Sequence, residues 1–93
     1  MKRLVLEDEG AAEFFRALAP APKKALRQAL DRLREDPSGK KHDLDVRWLE
    51  GDRSQGLRRL RVGTFRVIFA VKGDVIRVTR IMHRSTGYDW LDK

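Results

Sequence analysis

The chain has 93 residues, 41% of them hydrophobic and 38% charged, and a formal net charge of +7. That length accommodates one domain, residues 1–93, without a second core, and the absence of cysteine excludes disulfides and thiolate sites, while two histidines are too few to suggest a zinc centre. No apolar run approaches the roughly 20 residues that span a bilayer, and MKRLVLEDEG has acids where a secretory signal needs its apolar segment, so a cytoplasmic protein without membrane contact is expected.

Residues 2–6, KRLVL, suit a short first strand. Asp8 is placed to cap a helix whose apolar residues Ala11, Phe14, Phe15 and Leu18 recur with helical spacing. Pro20 and Pro22 end that helix, and Pro22 fits the first turn of the next. The second helix gathers Ala25, Leu26, Ala29, Leu30 and Leu33 on one face and stops at DPSG, 36–39. Residues 40–55 read as a loop with a short extended piece near Val46–Leu49, Trp48 anchoring that loop to the core. Three strands follow, at 56–62, 65–71 and 75–82, joined by Gly63-Thr64 and by Lys72-Gly73-Asp74. Turns this tight make the strands antiparallel neighbours. The expected fold is α+β: a helical hairpin on one face of a small antiparallel sheet, made of the first strand and a three-stranded meander.

The charge is unevenly spread. Residues 1–52 hold eleven Lys/Arg and eleven Asp/Glu, whereas residues 53–84 hold nine Lys/Arg against Asp74 alone. A one-sided basic segment suits a nucleic acid or another polyanion. Strand parity puts Phe65, Val67, Phe69 and Val71 on one apolar face and Arg66 opposite; Arg59 and Arg61 share a face of their own strand, away from Leu60 and Val62. Arg59, Arg61 and Arg66 are therefore aimed at the side away from the helices. Arg80 has the parity of Ile76, Val78 and Met82, while Arg77 does not, so a bulge or a position at the sheet's end is required. Arginine rather than lysine favours bidentate contact with phosphate, although a solvated face with stems shielding apolar surface is the bland reading.

The C-terminal MHRSTGYDWLDK adds His83, Arg84, Tyr88 and Trp90. Cleavage of RNA needs a group to accept the 2′-hydroxyl proton, another to protonate the leaving oxygen, and cations around the phosphorane. His83, Tyr88 and the arginines are candidates for these roles, and Tyr88 could instead stack an unpaired base. Trp90 is expected to seal the sheet edge, and His42 has no assigned role.

The stretch GLRRLRVGTFRVIFAVKGDVIRVTRIMHRSTGY resembles the RelE/ParE superfamily of type II toxins, in a basic strand, a Gly turn, the FRVIF strand and the HR…Y ending. The resemblance implies a toxin neutralised by a cognate antitoxin protein. Its RelE branch implies metal-independent, cofactor-free cleavage of mRNA on the ribosome by 2′-hydroxyl attack. By position it implies catalytic roles for Arg59, Arg61, Arg66, Arg84 and Tyr88, with His83 a further candidate. Arg58, Arg77 and Arg80 are RNA-binding candidates beside them. The ParE branch implies inhibition of DNA gyrase instead, and a non-catalytic RNA-binding module is the third alternative. Met82 stands where that signature usually has Gly, and the first basic strand has arginines where RelE toxins can carry lysines.

Overall fold

A computed structural model describes residues 1–49 and 56–83. The element order is β1 (Arg3–Leu6), α1 (Glu9–Ala17), α2 (Pro20–Glu35), β2 (Asp45–Trp48), β3 (Leu57–Val62), β4 (Phe65–Lys72) and β5 (Val75–His83). One five-stranded sheet runs in the order β1-β5-β4-β3-β2. The meander β3-β4-β5 is antiparallel, as tight turns require, and β2 adds to it antiparallel along β3. β1 lies parallel to β5, so the sheet is mixed rather than wholly antiparallel.

Local chemistry explains the helix limits. The Asp8 carboxylate accepts from the Ala11 amide at 3.1 Å and caps α1, where one of the first amides has no intrahelical partner. Leu18 turns extended and closes that helix, and Pro20 rather than Pro22 is the first residue of α2. Pro20 needs no hydrogen-bonded amide there and its fixed φ suits a helix start. Leu26, Ala29, Leu30 and Leu33 bury one stripe of α2, but Ala25 is exposed, outside that stripe.

These side chains pack with Leu60, Val67, Phe69, Ile76, Val78 and Ile81 in the main core. Val46 and Val62 join at its margin, so the helices cover the face that carries the even-numbered apolar residues of β2 and β3. A second, smaller cluster of Leu49, Ile68 and Met82, with Leu57 against it, sits on the other side of the sheet. Both faces are therefore partly apolar, as alternation in β4, which puts Ile68 and Ala70 opposite Val67 and Phe69, already implies.

A bulge settles the parity of β5. Ile68 pairs with Arg80 and Phe69 with Val78, leaving Thr79 as the extra residue. Its hydroxyl donates to the Ile68 carbonyl at 3.3 Å. Beyond Thr79 the alternation changes phase: Ile81 joins the helix-side core, and Arg80 and Met82 go to the opposite face. Met82 is thus not a companion of Ile76 and Val78, contrary to simple alternation.

The connection from α2 to β2 is pinned rather than loose. The Asp36 carboxylate accepts from Ser38 N at 3.1 Å, Ser38 Oγ at 2.8 Å and Lys41 N at 3.0 Å. Chiefly the Ser38 bond, with the backbone bonds after it, holds the Asp36 carboxyl below its ordinary range. Glu35 is lowered too, first by its bond to His42, whose Nε2 lies 2.6 Å from Glu35 Oε2, then by Lys41. Gly39 takes φ +81°, and a Cβ there would lie 2.7 Å from Val46 and 2.8 Å from the Leu44 carbonyl, so the turn feeding β2 requires glycine.

Candidate functional site

The sheet face away from the helices gathers guanidinium groups. Residues directly opposite in a ladder share a face. Arg61 lies opposite Arg66 across β3 and β4, and opposite Asp45 on β2. Arg59 lies opposite Ile68 and Arg47, and Ile68 in turn opposite Arg80. Arg77 lies opposite Ala70 and is on this face as well. The bulge at Thr79 is what allows Arg77 and Arg80 to face the same way.

The arginines differ in how they are held. Arg59 has a side chain only 8% exposed, among the apolar neighbours of the second cluster's face. A buried cation needs a partner, and Asp45 supplies it: Arg59 Nη2 donates to Asp45 Oδ1 at 3.0 Å. The same carboxylate has Arg47 Nε at 3.6 Å and Arg61 Nε at 4.0 Å. One acid thus gathers three guanidiniums. Arg59 Nη1 is buried and has no hydrogen-bond partner among the described residues. Arg61 and Arg80 are exposed, and Arg66 is half-buried. At the far side of the sheet, Arg77 pairs with Glu7.

Three sequence expectations change. His83 pairs with Phe65, whose face is the helix side, and its ring meets Phe65 edge-on at 5.7 Å. Phe65 in turn meets Phe14 of α1 at 5.9 Å. The phase change at Thr79 thus separates His83 from the face of Arg59, Arg61 and Arg66. Arg58 also lies on the helix side, opposite Phe69, with its guanidinium carbon 4.3 Å above the Trp48 ring and Nη1 donating to the Pro37 carbonyl at 3.3 Å. Trp48, expected to anchor a loop in the core, is 52% exposed on edge strand β2. Arg84, Tyr88 and Trp90 lie outside the described residues.

Asp45 and Arg47 carry no role in the sequence reading, although they line this face. The signal was the two-residue alternation in DVRW, Asp45 and Arg47 on one side, Val46 and Trp48 on the other. Four residues are too few to establish a strand against a polar background. Among the described residues no group of acids and histidines is arranged to hold a metal ion. None of the described helices is long and apolar enough to cross a membrane.

The arrangement defines a small α+β protein with a cationic sheet face, and solved structures of this shape exist. The archaeal RelE-RelB complex from Pyrococcus horikoshii OT3 matches with a TM-score of 0.74 and 25% identity, covering 92% of this chain and 98% of that one. The RelB-RelE complex from Methanococcus jannaschii gives 0.70 and 22%, with the same coverage. The intact RelBE complex from E. coli gives 0.70 and 18%, over 89% of this chain and 96% of the other. A search of curated protein sequences finds no match. The family model described as "ParE toxin of type II toxin-antitoxin system, parDE" matches residues 9–88. The chain belongs to that toxin family, within the RelE/ParE superfamily.

Proposed function

We propose that this toxin acts as a ribosome-dependent mRNA endonuclease, with the face of Arg59, Arg61 and Arg66 receiving the scissile phosphate. The carrying observation is the direct opposition of Arg61 and Arg66 across β3 and β4. Like charges directly opposite one another work against a sheet. A phosphate between them turns that repulsion into two charge-assisted contacts. Arg59, fixed by Asp45, would present its position without reorganisation as charge develops on the phosphorane.

In the proposed reaction the 2′-oxygen attacks the adjacent phosphorus and loses its proton. The bond from phosphorus to the 5′-oxygen breaks, and that oxygen takes up a proton. The products are a 2′,3′-cyclic phosphate and a 5′-hydroxyl. Arginine is a poor proton acceptor because its pKa exceeds about 12. His83 lies on the Phe65 side of the sheet, so the reading assigns proton transfer to Tyr88 and charge neutralisation to the arginines, Arg84 included. Placement of the RNA by the ribosome would make up for modest acid–base equipment. A cognate antitoxin would neutralise the toxin by offering acids to this same face; the RelE chains similar to this one are in complex with RelB.

The ParE family match favours a second reading, inhibition of DNA gyrase through protein contact. Two assays on one preparation separate them. Cuts in mRNA on programmed ribosomes, reduced at least about tenfold by Tyr88→Phe, support the nuclease. Loss of gyrase supercoiling without any cut selects the second reading. Cuts that Tyr88→Phe leaves unchanged remove Tyr88 from the chemistry.

A further inference from the structure

The β2 edge of the sheet carries a pocket that borders the arginine face. Its volume is about 320 Å³, and it is lined by Ser38, Lys40, Val46, Arg47, Trp48 and Arg58. Pockets that take small ligands start near about 300 Å³. Three of those lining residues are cationic and none is acidic. Trp48, 52% exposed, supplies a large flat surface. One side of its ring is stacked by the Arg58 guanidinium at 4.3 Å, which fixes the indole without covering the rest of it. Arg58 Nε is buried and has no hydrogen-bond partner among the described residues.

The conformation is imposed from below. Gly39 must stay glycine for Val46 to approach it, and the carbonyl of Pro37 accepts from Arg58. The turn from 36 to 39 and the strands β2 and β3 thus meet around the pocket. An exposed tryptophan on an edge strand is otherwise a liability, open to non-specific association.

We infer that this pocket binds one unpaired nucleobase of a single-stranded nucleic acid, stacked on Trp48, with its phosphate held by Lys40 and Arg47. Aromatic rings stack bases of any identity, and adjacent cations hold the backbone. Arg47 belongs to both places: it lines the pocket and, through Asp45, touches the group that holds Arg59 and Arg61. A strand crossing the arginine face therefore meets the pocket at the sheet's β2 edge. The inference rests on the nucleic-acid part of the function proposed above, and it adds a subsite outside the cleavage centre.

The test uses the full chain with Trp90→Phe, which leaves Trp48 as its one tryptophan. The probes are hexauridylate and an abasic ribose-phosphate hexamer, titrated at constant salt while tryptophan fluorescence and anisotropy of labelled probe are read. Hexauridylate is expected to quench Trp48, the abasic strand to bind more weakly without quenching. Trp48→Ala should weaken hexauridylate about tenfold, and Trp48→Phe should restore most of that loss, with circular dichroism showing each variant folded. Equal quenching by both strands, or unchanged affinity in folded Trp48→Ala, overturns the subsite. So does quenching by an acidic peptide where hexauridylate causes none, because the pocket then serves a protein. Arg61→Gln distinguishes the two proposals: lost ribosomal cleavage with base-dependent quenching of Trp48 retained keeps the subsite. Lost cleavage in Arg61→Gln beside a Trp48 indifferent to bases leaves the nuclease reading standing and removes the subsite.

Discussion

The two faces of the sheet are built from the same strands and obey opposite rules. On the helix side, Val67, Phe69, Ile76 and Val78 are fully buried against Leu26 and Leu33, and the packing of that core is apolar, with Arg58 and His83 only at its margin. On the other side, Arg59, Arg61 and Arg66 share the surface with Leu49, Ile68 and Met82. The first face gains stability from removing apolar area from water. The second sets cations opposite one another, Arg61 against Arg66 and Arg59 against Arg47, around the Asp45 carboxylate, an arrangement that packing for stability alone would avoid. A face that departs from stability in this way is where function is to be sought.

The sharpest break in the comparison comes from truncating each face. Phe69→Ala on the helix side is expected to cost about 3–5 kcal/mol, since a fully buried ring leaves a cavity that close packing fills poorly. Urea denaturation measures it. Arg61→Gln or Arg66→Gln should do the reverse: stability changed by less than about 1 kcal/mol, as for ion pairs that water still reaches, and cleavage on the ribosome lowered about a hundredfold. A variant that loses stability and activity in proportion would erase the distinction between the faces.

Asp45→Asn sharpens it further. The buried Arg59 guanidinium would lose the carboxylate it bonds, and the cost is expected at about 1–3 kcal/mol, reduced because Asp45 is itself exposed. Arg59→Met in the same background should recover part of that loss, because the uncompensated cation is then gone. A double-mutant cycle read by thermal denaturation gives the coupling. Absence of coupling would mean that Asp45 does not fix Arg59.

The smallest effect concerns the turn that feeds β2. Glu35 and Asp36 have carboxyls lowered from their ordinary values of 4.5 and 3.8. A lowered folded value means that the native state favours the ionised form. The contribution is therefore present above the unfolded values and is lost as pH falls through the folded ones. Asp36→Asn should lower the thermal midpoint slightly at pH 6 and leave it level with the parent once the medium is acidic enough to protonate Asp36 in the folded protein. A difference that persists unchanged into strong acid would show that the carboxylate's charge is irrelevant to the turn.

Much of this fold is legible in the residues, because each element carries its own signal. Asp8 before an apolar helical stripe, Pro20 and Pro22, DPSG, and two glycine turns punctuate the chain where the structure changes direction. The face of Arg59, Arg61 and Arg66 follows from alternation in β3 and β4. What alternation does not carry is the phase change at Thr79, since a bulge depends on pairing between strands and leaves no local pattern. That one residue decides that Arg80 and Met82 join the arginines and that His83 turns to Phe65. Asp45 and Trp48 were obscured differently: β2 is four residues long, and its meaning comes from Arg59 and Arg58 on the neighbouring strand.

The central claim is that the face away from the helices meets the phosphate of RNA. The most direct measurement maps mRNA 5′ ends on programmed ribosomes with the parent protein, Arg66→Gln, and Lys24→Gln on exposed α2. The expected result is cutting by the parent and by Lys24→Gln, and its loss in Arg66→Gln with the fold intact. Equal cutting by all three would show that the arginine face does not hold the scissile phosphate.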